Sequence, residues 1–177
     1  MSQFNFKDIQ ETTTKPRFTP GIFEGVIVRS VKDGLTANGK KVISVSLVGT
    51  KGEEFEANWS MEGNAPQYTM RKLKHMLTKV MANEDEVNNI TSTEQANKAL
   101  SGKMFRIKFI GTEFLNKEGQ VRVKADIGLP NFCESMKVPA NQSTLSFDPN
   151  NAYDIVRLPK DQIPSANSVE AKSDLPF

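Results

Sequence analysis

The sequence predicts a mainly-β fold, a five-stranded, partly open barrel with an α-helix between its third and fourth strands. Three observations lead there. Three alternating runs separated by turn signals occupy residues 22–59, a helical stripe follows from residue 66, and two more alternating runs joined by a glycine-containing turn fill residues 103–129. Side chains in a strand point to opposite faces with period two, whereas apolar residues spaced i, i+3, i+4, i+7 mark one face of a helix.

Taken in order, residues 1–20 are polar, with Thr12 to Thr14 and the prolines Pro16 and Pro20, and read as an N-terminal arm in which Phe4, Phe6 and Ile9 are the apolar groups. Order is expected from Gly21. Ile22 to Val31 is β-branched enough for a strand, and Asp33-Gly34 followed by Asn38-Gly39 signals a turn. Lys41 to Val48 alternates Ile43, Val45 and Leu47 against Ser44 and Ser46, Lys51-Gly52 turns the chain, and Glu54 to Trp59 alternates again. Short turns make this meander antiparallel. Pro66 then opens a helix whose stripe is Met70, Leu73, Met76, Leu77 and Val80. Asn83 to Asn89 reads as an acidic loop, and Ser92 to Gln95 as a capping box for a short second helix ended by Gly102. Lys103 to Ile110 and Val121 to Ile127 form a hairpin around Asn116 to Gly119. Residues 131–157 are expected to be an irregular extension, and residues 158–177, with Pro159, Pro164 and few apolar groups, a disordered tail. Three strands, a helix and two strands is the order of an OB-fold, here residues 21–157.

Composition excludes more than it specifies. The net charge is only +2, but residues 15–130 carry 18 basic against 13 acidic side chains, while residues 131–177 carry 4 against 6. A single cysteine, Cys133, allows no internal disulfide and fits a reducing compartment. No apolar run approaches the ~18 residues of a membrane span, so a soluble, cytoplasmic protein is expected. The only histidine, His75, and Cys133 cannot supply the three or four ligands of a zinc site. Neither a Gly-x-Ser-x-Gly elbow nor a glycine-rich phosphate loop occurs. Glu53, Glu54 and Glu56 read more simply as a solvated strand face than as a magnesium site. The expectation is a binding protein rather than an enzyme, with no cofactor and no metal.

The hairpin carries the candidate site. From Lys103 to Lys124 there are six Lys or Arg and two acids, a local charge of +4. Alternation sets Phe105, Ile107 and Phe109 toward a core and Arg106, Lys108, Arg122 and Lys124 outward. That row is either a solvated face or a surface for a polyanion. OB barrels bind single strands through a cationic groove and rings that stack bases, which favours the second reading and adds Arg29 and Lys41 to the cations. Phe114 shares parity with Arg106 and Lys108 and could stack. Trp59 shares parity with Phe55 and Ala57, so core packing and stacking both stay open.

The chain ends Asp174-Leu175-Pro176-Phe177, which resembles the acidic tip of bacterial single-stranded DNA-binding proteins. In that family the tip docks into replication and repair partners, the Phe ring in an apolar pocket and its carboxylate near basic residues. Only one acid adjoins the tip here and Lys172 lies close by, so the electrostatic share of such docking would be smaller. The meander, the Lys-rich helix within Tyr68 to Leu77, the basic hairpin and the polar tail are together similar to the single-stranded DNA-binding proteins of bacteriophages. The resemblance implies a sequence-tolerant protein that coats single-stranded DNA during replication or recombination, in the host cytoplasm if phage-encoded, and recruits partners through its tail. The alternatives are an OB-fold adaptor without DNA affinity and a small phage structural protein.

Overall fold

A computed structural model describes residues 16–128 and 131–163. The protein is mainly β, with strands β1 (Gly21–Leu35), β2 (Lys41–Val48), β3 (Glu54–Ser60), β4 (Met104–Leu115), β5 (Val121–Asp126), β6 (Cys133–Ser135) and β7 (Ile155–Val156) in one open sheet. The main path runs β3-β2-β1-β4-β5, and β6 and β7 both attach to β4. All pairs are antiparallel except β4 with β7.

β1 is long because it serves two neighbours in turn. Gly21 to Ile27 pair with Phe109 to Met104 of β4, and Ile27 to Leu35 pair with Val48 to Lys41 of β2. A register shift lies in each half, between Phe23 and Val26 and between Val28 and Ser30. Bulges bend a strand and raise its twist, which lets β1 curve from one partner to the other. Gly25 sits in the first shift at φ +71°, where a Cβ would come 2.8 Å from Thr50 Cγ2. Asp33 and Gly34, expected in a turn, remain paired to Ile43 and Val42, so the chain reverses only at Thr36 to Lys40.

The helical stripe behaves as its spacing demands. In α1 (Pro66–Val80), Leu73, Met76 and Leu77 are buried, and Thr69 Oγ1 donates to the Ser60 carbonyl at 2.7 Å, fixing the helix to the end of β3. The segment expected as an acidic loop contains α2 (Glu84–Asn88), capped by the Asn83 side chain. Ser92 caps α3 (Thr93–Leu100) by accepting from the Gln95 N–H, and Gly102 follows at φ +79°. No helix among the described residues is long and apolar enough to cross a membrane.

The core lies between the concave side of the sheet and the helices. Phe105, Ile107 and Phe109 of β4 are fully buried, against Val26, Val45, Leu47 and Met76 among others. The core begins before the boundary expected at Gly21: Phe18 is buried and stacks on Phe109 with ring centroids 4.4 Å apart. Residues 131–157 are also more regular than expected. β6 pairs with Phe105 to Ile107, and β7 with Gly111 and Thr112.

Candidate nucleic-acid interface

β4 has more hydrogen-bonding partners than a hairpin strand needs, and this decides the fate of its cations. β1 and β6 flank its first half, while β5 and β7 flank its second. Arg106, expected to face outward, is only 4 % exposed. Its Nε donates to Glu24 Oε1 at 3.0 Å, and its Nη1 to Glu134 Oε2 at 3.0 Å and to the Val138 carbonyl at 3.1 Å. The reason is the C-terminal extension: β6 brings Glu134 alongside Arg106, and the following chain folds over the pair. Burial works against the Glu134 carboxylate, but Ser143, the Thr144 N–H and hydroxyl, and Arg106 all donate to it and hold its pKa down at about 2. Lys108 is likewise engaged, in an ion pair with the buried Asp154. The Arg106 side chain is thereby closed to solvent, and that of Lys108 keeps 19 % of its surface exposed.

Trp59 is 5 % exposed and belongs to the core, edge-on to Phe132 with centroids 6.3 Å apart. Lys72 Nζ lies 5.3 Å from the centre of its ring. α1 and Phe132 therefore cover the Trp59 side chain that the stacking reading would have left open. Its Nε1 has no hydrogen-bond partner among the described residues.

What remains exposed is the outer part of the hairpin. Phe114, 38 % exposed, pairs directly with Arg122, and Thr112 pairs with Lys124. Arg122 and Lys124 are exposed and make no ion pair among the described residues; Arg122 Nη2 donates to Gln120 Oε1 at 2.9 Å. Val123, on the side of β5 opposite Arg122 and Lys124, pairs with Glu113, is 47 % exposed and lines the groove described below. Arg29 is exposed and lies 3.5 Å from Glu54 Oε1. Lys41 is exposed at the start of β2, the end remote from Glu54, so the structure does not bring it to this site.

Beside the hairpin is a groove of about 420 Å³ that sequence reasoning did not anticipate. Glu54 and Phe55 of β3 form one wall, Phe114 and Val123 to Ala125 of the hairpin the other, and Arg17 to Pro20 run along it. Arg17 forms a parallel β-bridge with Glu54. Phe18 anchors the segment by its stack on Phe109 and an edge contact with Phe23 at 5.0 Å. Phe55 meets Phe109 edge-on at 5.2 Å. The available signal was an aromatic residue between two prolines, Pro16 and Pro20, in an otherwise polar arm. A second cavity of about 440 Å³ lies among the helices, where Leu73, Leu77, Val87, Ile90 and Ala96 contribute apolar lining and Lys74 is engaged by Glu84 at 3.4 Å. Its chemistry does not suit a polyanion.

His75 and Cys133 come together, but through the Cys133 backbone rather than as a thiolate–imidazolium pair. Burial pushes the thiol up to about 12, while burial and Lys79 lower His75, partly offset by the Cys133 backbone hydrogen bond. A thiol so protonated is a poor nucleophile at neutral pH. Asp174, Leu175, Pro176 and Phe177 lie outside the described residues. In comparisons with known proteins, no protein-family model matches the chain and no curated protein matches its sequence.

Proposed function

We propose that the protein binds single-stranded DNA with little regard to sequence, on the plan of an OB-fold. Two features support this reading: the path β3-β2-β1-β4-β5, which is the order expected of an OB barrel left open between β3 and β5, and the helices that follow β3. The observation that carries the reading is the exposed patch of Phe114, Arg122 and Lys124 at the rim of that opening. An accessible ring beside cations that make no ion pair among the described residues is what stacking and phosphate neutralisation need, and neither demands a particular base. The protein acts without a cofactor, coats exposed strands during replication or recombination, and recruits partner proteins through Asp174 to Phe177.

Titration of a fluorescent oligo(dT) at several salt concentrations tests this. Affinity should fall with salt, with a slope of roughly −0.7 per phosphate contacted. Arg122→Ala with Lys124→Ala should weaken binding and flatten that slope without lowering the melting temperature, because both side chains are exposed. Undiminished affinity in the double variant would remove the hairpin from the interface.

A further inference from the structure

We propose that the groove between β3 and the hairpin is a nucleotide subsite whose phosphate-contacting residue is Arg17. The segment before β1 is then a wall of the binding site instead of a passive arm. The inference rests on the reading of the hairpin as a single-strand surface and extends it to a part of the molecule that the hairpin does not contain.

Three observations converge. The groove is continuous with the hairpin patch, since Phe114 and Lys124 line it directly. Arg17 is exposed, lines the same groove and makes no ion pair among the described residues. Its backbone is held on both sides, by the bridge to Glu54 and by the burial of the next residue, Phe18, at 6 % exposure. A cation on a fixed backbone loses less freedom on binding than one on a free arm. The groove also offers partly exposed rings, Phe114 on one wall and Phe55 on the other, so a base can enter between them while its phosphates lie toward Arg17 and Lys124. Charge complementarity selects the occupant. Two cations that make no ion pair among the described residues, over an apolar interior, suit a strand with a charged backbone and flat apolar bases. The acid in the wall, Glu54, is 3.5 Å from Arg29.

The test compares full-length wild type, Arg17→Ala, Arg17→Lys and the Arg122→Ala/Lys124→Ala variant in oligo(dT) titrations across a salt series. Melting curves are recorded alongside. Arg17→Ala should melt with wild type, because Phe18 keeps its stack, yet bind more weakly, with a salt slope shallower by about 0.7, the loss of one phosphate contact. Arg17→Lys should restore most of the slope. If Arg17→Ala binds with wild-type affinity and slope while the hairpin variant is weakened, the subsite is refuted and the hairpin interface stands. If oligo(dT) does not bind wild type, or all variants match it, both readings fall.

Discussion

Replacing Glu134 by Ala should destabilise the protein by about 3 kcal/mol without altering its affinity for a single strand. The carboxylate accepts four hydrogen bonds: from Arg106 Nη1 at 3.0 Å, Ser143 Oγ at 2.7 Å, Thr144 N at 2.6 Å and Thr144 Oγ1 at 2.8 Å. Removing one partner of a buried ion pair costs about 3–5 kcal/mol because the other charge is left without compensation. The lower end applies here, since Arg106 retains Glu24 and the Val138 carbonyl, and Thr144 is exposed and can turn to water. For a chain of this size, roughly 2–4 °C per kcal/mol puts the fall in melting temperature near ~6–12 °C. Urea unfolding of wild type, Glu134→Ala, Arg106→Leu and the double variant Arg106→Leu/Glu134→Ala measures the coupling. The double variant should cost less than the two single ones added together, because neither charge is left alone in the interior. The reasoning fails if Glu134→Ala costs under about 1 kcal/mol, the range of an exposed pair. It also fails if Arg106→Leu leaves stability intact and flattens the salt slope of oligonucleotide binding, which would return Arg106 to the outer surface.

Four further outcomes are expected. Trp59→Ala should cost about 3–5 kcal/mol of folding stability, and in urea unfolding followed beside oligo(dT) titration the folded variant should bind as wild type does. Acid titration followed by circular dichroism should show stability lost from about pH 4.5 down toward 2: burial notwithstanding, Glu134 is held at about 2 and Asp154 below its ordinary value, so both stabilise the fold above the unfolded carboxylate range and cease to as they protonate. In urea unfolding a Gly111→Ala chain should be less stable by about 1–3 kcal/mol, because its Cβ would come 2.5 Å from Ile155 Cδ1, 2.9 Å from Val123 Cγ1 and 3.0 Å from Pro20 Cγ. A chain ending at Ile163 should keep its melting temperature and its oligo(dT) affinity but lose pull-down of replication or recombination proteins; retention of every partner would reject the role given to Phe177.

Periodicity located β1 to β5, α1 and the helix opened by Ser92 because it is a local property, and it missed the short α2, β6 and β7. The stripe of α1 and the alternation of β4 follow from which side chains share a face, and the burial of Leu73, Leu77, Phe105 and Phe109 agrees with it. Alternation cannot say what covers the second face of a strand. Arg106 and Lys108 do lie opposite the core residues of β4, yet Glu134 and Asp154 reach them from 28 and 46 residues further on, in a stretch with little periodicity of its own. Trp59 was ambiguous for a similar reason: its parity with Ala57 was legible, but the cover supplied by Phe132 and Lys72 was not. Phe18 escaped notice because a single aromatic between prolines carries no repeating pattern. Arg122, Lys124 and Phe114 kept the exposure expected of them: the segments that reach the hairpin, Arg17 to Pro20 and Arg157 to Leu158, line a groove beside it or bond Glu113 and leave these three side chains exposed.

The dependence of the sheet on β4 constrains how the chain can be made. While a ribosome is still adding residues up to Leu100, β1 has β2 on one side, but the stretch Gly21 to Val26 has no strand to pair with. Phe109, which pairs with Gly21, is synthesised 88 residues later. During that interval an unpaired edge containing Ile22, Phe23 and Val26 stands open, the kind of surface on which nascent chains associate with one another. Emergence of β4 closes that edge, and β5 and β6 then add to the same strand by shorter loops. Folding is therefore gated late in synthesis. Pausing or truncation before Met104 should yield aggregates rather than a smaller folded domain, whereas release after β6 leaves every long-range strand pair but the short β4–β7 contact within reach.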